Sequence, residues 1–379
     1  MAKILYFTTA LSNEDYKEYL SFWNVAPNLS NQNFHNKFIR SIAISHPVEV
    51  ISVRPINKFY KVKSLNDSQR TENNITWNYI KVRRCRVDRL LNNSKRIMDA
   101  IENKVDKDSI IFVDALNRSL LKAALKVKKQ HKCQVIGICT DNPYNISYVD
   151  KGYGDTILKL TSKLDGYVVL TRKLLELFNK AKKPFLVMDG LTENVDYQSD
   201  IQIEGEYLFF GGSLMKKYGV YNLIEAYKKL DNKDIKLVIC GHHEEPDFKS
   251  YIKDIPGIVY LGALSYQDVI AVEKKSICAI NPRPIDPQID EYSIPSKTLE
   301  YLANGVLTIC VNNSQLRSRY FDAIIWSKSG SVDDLYEAIK KSIELNKKEK
   351  EKLISNGIKY ANQHTSLDSI NKRVNELFL

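Results

Sequence analysis

The stretch EYSIPSKTLEYLANG, Glu291 to Gly305, gathers residue types that suit a phosphate and a diol. Pro295 fits just before or at the first turn of a helix, where its missing N–H costs nothing. Ser296 can cap that helix, and Gly305 suits the left-handed position past its end. The backbone amides of Ser296, Lys297 and Thr298 would then point out of the helix N-terminus, a natural seat for a phosphate. Lys297 adds a full positive charge there. Glu300, three residues on, falls on nearly the same face and could accept hydrogen bonds from a vicinal diol. The same spacing also describes a capped helix with a Lys–Glu surface pair.

Glycines that end apolar runs add to this pattern. Gly211, Gly212 and Ser213 close YLFFGGS, Gly241 follows KLVIC, and Gly262 follows IVYL, just before Leu264. Three strand ends of one domain would thus expose backbone to a ligand. Lys216, Lys217 and Gly219 come after the first of these, and GGSLMKKYG lacks the GxGxxG spacing of a dinucleotide fingerprint. In the other half, Asp141 follows the apolar run VIGIC. There it could orient an acceptor hydroxyl or a donor sugar, or cap a turn with Asn142 and Pro143. His35 lies inside a helical stretch. His242 and His243 follow Gly241 as donor-side contacts or as plain loop residues. No Asp-x-Asp pair stands at a strand end, so no metal is expected. The six cysteines are scattered without a CxxC pair and read as buried reduced thiols, which favours the cytoplasm over zinc or disulfides.

The elements that must position these groups alternate along the chain. KILYFTT, VEVISV, SIIFVDA, CQVIGICT and GYVVL read as strands, separated by amphipathic helices such as NQNFHNKFIRSIAIS and Arg118 to Gln130. Phe38, Ile39 and Ile42 give the first of those helices a buried face. After a polar stretch from Asp189 to Glu206 a second series begins: YLFFGGS, IKLVICG, IVYLGAL, SICAINP, the quoted helix and VLTICV. Such βαβ alternation implies parallel sheets, and 379 residues exceed one ordinary core. The expectation is α/β, with two doubly wound, Rossmann-like domains facing a central cleft. They would span residues 1–190 and 191–360, with a C-terminal helix over 361–379 that packs back on the first domain. Ligands in such sheets bind beyond the carboxyl ends of the strands. Gly357, inside the penultimate helix, is the awkward residue.

Charge is unevenly placed. Residues 1–190 carry 32 Lys and Arg against 18 Asp and Glu, while the remainder carries 24 against 27. A basic half implies an anionic partner or a lysine-rich background composition. VRRCRVDRL (Val82–Leu90) and the run Lys126–Lys132 concentrate that charge. No RNA-binding aromatic signature accompanies it, so nucleic acid is not expected as a partner. No run of about 18 apolar residues is present, and MAKILYFTTA reads as a first strand rather than a signal peptide.

The order GGSLMKKYGVYNLIEAYKKL, LVICG, IVYLGALSYQDV, PSKTLEYLANGVLTICV resembles the C-terminal half of GT-B glycosyltransferases of the family 4 type over about 170 residues. SNQNFHNKFIRSIAISHPVEVISV resembles the N-terminal half more loosely, with His35 at the place of a family histidine on the acceptor side. The resemblance implies a retaining, metal-independent sugar transfer from a nucleotide-sugar donor, with UDP as the expected carrier and no further cofactor. It implies that Gly212, Ser213, Lys217 and Lys297 meet the diphosphate, that backbone near Gly262 and Leu264 holds the base, and that Glu300 binds the ribose. Gly241, Ser296 and Thr298 complete the expected donor site, and Asp141, Lys217 and Lys297 would carry the chemistry. The sequence departs from the family pattern in four places, one of them Thr140, which stands where a histidine is usual after the fourth N-terminal strand. Tyr292 stands where a second glutamate is usual, with Glu291 one position off. Ser213 replaces an arginine, and Ser30-Asn31 replaces a Gly-Gly turn.

Without an enzymic nucleophile, retention proceeds by front-face attack, in which fixed amides and lysines stabilise the leaving diphosphate. The resemblance points to growth of a bacterial surface polysaccharide on a glycan or lipid-linked acceptor. The enzyme would work in the cytoplasm, against the anionic inner face of the plasma membrane. A nucleotide-sugar epimerase of the same fold and a non-catalytic binding partner are the alternatives.

Overall fold

The computed structural model describes residues 3–22, 29–56, 59–146, 151–232 and 234–379. The chain divides into two units, Met1–Leu191 with Leu367–Leu379, and Thr192–Ser366. A cut at residue 360 would fall inside the continuous helix Lys347–His364, so the last helix begins later, at Leu367.

In the first unit the β-branched runs form strands because both faces of the sheet are covered. Ile4–Thr8 and Ile110–Asp114 are buried at every residue. The sheet runs Phe185–Val187, Gly166–Val169, Gln134–Cys139, Ile110–Asp114, Ile4–Thr8, Val48–Ser52, Ile75–Tyr79, Ser68–Glu72. All neighbours are parallel except the last pair. The antiparallel edge strand Ser68–Glu72 has no counterpart in the sequence reading. The helix Leu29–Ala43 buries Phe38, Ile39 and Ile42. The C-terminal helix Leu367–Phe378 lies against this unit, with Asn375 in contact with His46 (2.6 Å) and donating to Ser45 (3.0 Å).

The second unit carries a six-stranded parallel sheet in the order Ile258–Tyr260, Ile235–His242, Glu206–Ser213, Cys278–Asn281, Thr308–Val311, Ile325–Ser327. In both sheets strand order reverses beside the unit's first strand. In the second unit the reversal falls between Glu206–Ser213 and Cys278–Asn281, and in the first between Ile4–Thr8 and Ile110–Asp114. Leu208, Ile239, Cys278 and Ile309 pack on one face of the second sheet with Leu223 and Ile224 of the helix Val220–Leu230. Gly357 is a packing residue. A Cβ there would stand 2.9 Å from Leu302 Cδ2, so its hydrogen lets Lys347–His364 close on Ser296–Ala303. Five cysteines are buried and Cys85 is exposed, all as free thiols. Among the described residues no helix is long and apolar enough to cross a membrane.

Candidate functional site

The glycines predicted at three strand ends lie side by side. Gly212 and Gly241 are register partners on neighbouring strands, and the Gly241 N–H donates to the Gly262 carbonyl at 2.9 Å. A Cβ at Gly241 would collide with the Gly212 carbonyl oxygen, so only glycine lets the strands stay this close at their ends. Gly262 holds φ +67° with open space around its Cα. Ser213, where the family has an arginine, keeps its hydroxyl buried and, among the described residues, without a hydrogen-bond partner. Leu264 packs partly buried against the apolar cluster that contains Phe209 and Tyr301. His242 is exposed, and burial, then His243 and Lys297, lower its pKa, so it stays neutral near pH 7.

The quoted helix spans Ser296–Ala303, and Gly305 past its end takes φ +73°. Its start differs from the expectation. Pro295 stands just before the first turn, one of the two places expected for it, but Ser296 does not cap the helix and is an exposed first-turn residue. Thr298 does not offer its amide to a ligand, since that N–H donates to the Pro295 carbonyl at 3.1 Å. Its buried hydroxyl accepts from Asn281 Nδ2 at 2.8 Å, which pins the helix to the strand Cys278–Asn281 at the point of reversal. Thr298 thus places the helix rather than contacting a substrate.

Lys297 and Glu300 do pair, Nζ to Oε1 at 2.9 Å, and Tyr266 Oη lies 3.3 Å from Glu300 Oε2. This is more than a surface pair, because the Glu300 side chain is only 14% exposed. Burial alone would lower the Lys297 pKa. The Glu300 carboxylate is the largest opposing influence, and the ammonium is held above its ordinary range. Lys297 is therefore charged at every physiological pH, ready for an anion.

Lys216 is engaged by Asp247 (3.1 Å) and by the Tyr221 ring, whereas Lys217 is exposed over the ring of its neighbour Tyr218. Arg283, which sequence reasoning did not single out, follows the strand Cys278–Asn281 and pairs with buried Asp290 at 3.2 Å. Glu291, the glutamate one position off the family pattern, is exposed. Glu273 was also missed. It is fully buried in the helix Tyr266–Lys274, its Oε1 accepts from Asn304 Nδ2 at 3.0 Å, and its Oε2 has no hydrogen-bond partner among the described residues. A lone carboxylate on the buried face of VIAVEK was the available signal.

In the first unit His35 is not at the surface. It is fully buried, with Nδ1 2.6 Å from Tyr6 Oη and Nε2 3.6 Å from Asp114 Oδ2. Burial lowers its pKa against the opposing charge of Asp114. A side chain so enclosed cannot touch an acceptor, which corrects its expected role. Asp114 at the end of Ile110–Asp114 is the residue that sequence reasoning overlooked here. Asn31 Nδ2 reaches Thr9 Oγ1 at 3.2 Å and lies 3.5 Å from Asp114 Oδ2. Asp141 follows the strand Gln134–Cys139, and its Oδ1 accepts from the Asn142 N–H at 2.7 Å, the local turn contact foreseen as one of its readings.

The basic run Lys126–Lys132 and Lys122 line, with Lys163, a groove of about 770 Å³. It opens beside Cys133 and Gln134, at the amino end of the strand Gln134–Cys139, on the opposite edge of the sheet from Asp114 and Asp141. Of the Val82–Leu90 run, the side chains of Arg86 and Leu90 lie outside the described residues.

Residues 193–360 match the sequence model of the family Glycosyl transferases group 1. A comparison with curated proteins finds no match. Among solved structures, the sucrose-phosphate synthase of Thermosynechococcus elongatus is similar, with a TM-score of 0.68 at 10% identity over 99% of this chain and 98% of that one. So is the E. coli trehalose-6-phosphate protein bound with UDP-2-fluoro glucose, at 0.66 and 11% over 99% and 98%. A trehalose-6-phosphate synthase studied with bisubstrate glycomimetics for glycosyl transfer with retention scores 0.65 at 11%, over 98% of each chain. At such identities the likeness establishes the fold. The chain has the GT-B fold of two Rossmann-like units, and its second unit is a glycosyl transferases group 1 domain, that of a glycosyltransferase.

Proposed function

We propose that this chain is a retaining, family 4-like glycosyltransferase that moves a sugar from a UDP-linked donor to a glycan or lipid-linked acceptor in bacterial surface polysaccharide synthesis. The observation that carries the reading is the row Gly212, Gly241, Gly262 beside the Lys297–Glu300 pair, at the carboxyl edge of a sheet inside the matched segment. Exposed backbone and a fixed ammonium suit a diphosphate, and a carboxylate suits ribose hydroxyls. The neighbour bound with UDP-2-fluoro glucose and the one studied for retention support the donor and the stereochemistry.

In this reading the diphosphate draws Lys297 away from Glu300, which frees Glu300 Oε1 for the ribose. As the glycosidic bond breaks, Lys297 and Lys217 stabilise the charge gathering on the leaving phosphate. The departing phosphate oxygen takes the acceptor proton on the same face. Gly212 and Ser213 lie against the phosphates, Gly241 and Gly262 with Leu264 against the base, and Ser296 offers a first-turn amide. Asp141 orients the acceptor. No metal is required.

The lysine groove supports a peripheral membrane site on the inner face of the plasma membrane, where each lysine near an anionic surface contributes about 1 kcal/mol. Its place at the amino edge of the sheet makes it an anchor rather than an acceptor pocket. Incubation with a panel of nucleotide sugars and an acceptor extract, following nucleoside diphosphate release, tests the activity. Release with one donor and retention of anomeric configuration is the expected result. Inversion, or no release from any donor, would count against it.

A further inference from the structure

Glu273 is a buried acid that the proposed transfer does not use. It is 0% exposed on the helix Tyr266–Lys274, bonded on one oxygen to Asn304 and on the other to nothing among the described residues. Asn304 sits at the end of the helix that carries Lys297 and Glu300, so the contact ties Glu273 to the donor-site helix. The charged and titratable groups that face it are Lys297, Glu300 and Tyr301 from that helix, Tyr266 and Lys274 from its own, and Cys240 from the strand Ile235–His242.

A buried carboxylate with one unbonded oxygen, no bonded cation and a second carboxylate nearby is strongly disfavoured. The neutral acid loses far less. Lys297 has one hydrogen-bonded carboxylate partner among the described residues, Glu300, and a second negative charge on Glu273 would compete for the same ammonium.

We propose that Glu273 is a positioning residue of the donor site: as a neutral carboxyl it leaves Lys297 held by Glu300 alone and available to a diphosphate, and its ionisation withdraws Lys297 from the ligand. The inference rests on the donor-site reading above and deepens it. It makes nucleotide affinity depend on a proton that neither the nucleotide nor the reaction carries.

Burial, then the charge of Glu300, pushes the Glu273 pKa up to about 8, against Lys297 and the Asn304 bond. Over the same range Lys297, Tyr266, Tyr301 and Cys240 hold their charge state. Lys297 is raised and stays cationic, Tyr266 and Tyr301 are raised and stay neutral, and burial pushes Cys240 to about 12. Burial, then His243 and Lys297, lower His242, so it titrates below this window. Phosphate oxygens with a second pKa near about 6 are already ionised there.

The test is calorimetric titration with UDP, GDP and ADP at pH 7, 8 and 9, in buffers of different ionisation enthalpy. For the nucleotide that binds best, wild-type affinity should fall up to about tenfold from pH 7 to 9, with net proton uptake on binding near pH 8. Glu273→Gln keeps the carbonyl that accepts from Asn304 and removes the titration, so both effects should vanish. The proton uptake is read on the wild-type protein and does not depend on the variant folding. Binding at pH 7 without a fall or proton uptake, or a fall that survives in Glu273→Gln, overturns the inference and leaves the donor site standing. Binding of no nucleotide at any pH overturns both.

Discussion

Where strand order reverses in the second unit, the sheet ends in Gly212 beside Asn281, flanked by Gly241 and Gly262. At the equivalent reversal in the first unit it ends in Thr8 and Thr9 beside Asp114, with Asn31 bridging Thr9 toward the carboxylate. One edge presents backbone, the other side chains. The strand order is shared, so it does not select what binds. The residues after each strand do. Glycines open amides and carbonyls to an anion, and the Asp114–His35–Tyr6 cluster closes the first unit with a polar network buried in its core.

Lys297→Ala is expected to produce the largest change, about 10²–10³ in transfer rate, as for loss of one fixed donor to a developing oxyanion. A rate within a factor of a few of wild type would mean that the glycine edge alone carries the diphosphate. Gly241→Ala comes next. Its Cβ must displace the Gly212 carbonyl, and overpacking of this kind costs about 1–3 kcal/mol. For a unit of this size each kcal/mol moves the melting temperature by roughly 2–4 °C. Gly262→Ala meets no neighbour, so only its left-handed φ is penalised, by about 1–2 kcal/mol. Equal losses at the two positions would refute close strand approach as the reason for glycine at 241.

The first-unit network should respond in stability and not in transfer. Tyr6→Phe removes the contact to His35 Nδ1 and should cost about 1 kcal/mol in thermal unfolding with the transfer rate intact. Acid and base should also separate the units. His35 has a lowered folded pKa, so its contribution to the first unit is present above about 6.5 and is lost as pH falls through the folded value. Glu273 has a raised one, so its contribution to the second unit is present below its unfolded value and is lost as pH rises through about 8. Unfolding scans of the two units across pH 5 to 9 that shift in the same direction would contradict this. The smallest expected effect is at the groove. Replacing Lys122, Lys126 and Lys129 by Gln should weaken sedimentation with phosphatidylserine vesicles at low salt, and little at high salt.

The strands were legible because runs such as SIIFVD and KLVIC are apolar on both faces, as buried parallel strands must be. Ser68–Glu72 was not, since SQRTE is an edge strand with one solvated side and no apolar signal. The glycine row and the Lys297–Glu300 pair followed from residue type at strand and helix ends. That Ser296 would not cap was not legible, because it is the stronger capping residue by type and only backbone geometry shows which residue stands outside the helix. His35 and Glu273 share one reason for being misread or missed. A polar residue on a helix is read as exposed, and its burial depends on tertiary partners such as Tyr6 and Asn304 that are remote in sequence.

The central claim is that the second unit's glycine edge and Lys297–Glu300 hold a nucleoside diphosphate. Thermal unfolding of wild type and Glu300→Ala with UDP, GDP and ADP tests it most directly. At 100 times its dissociation constant the right nucleotide should stabilise the wild-type fold by about 2.7 kcal/mol, and the shift should be lost in Glu300→Ala. No shift with any nucleotide, or the same shift in the variant, would contradict the account.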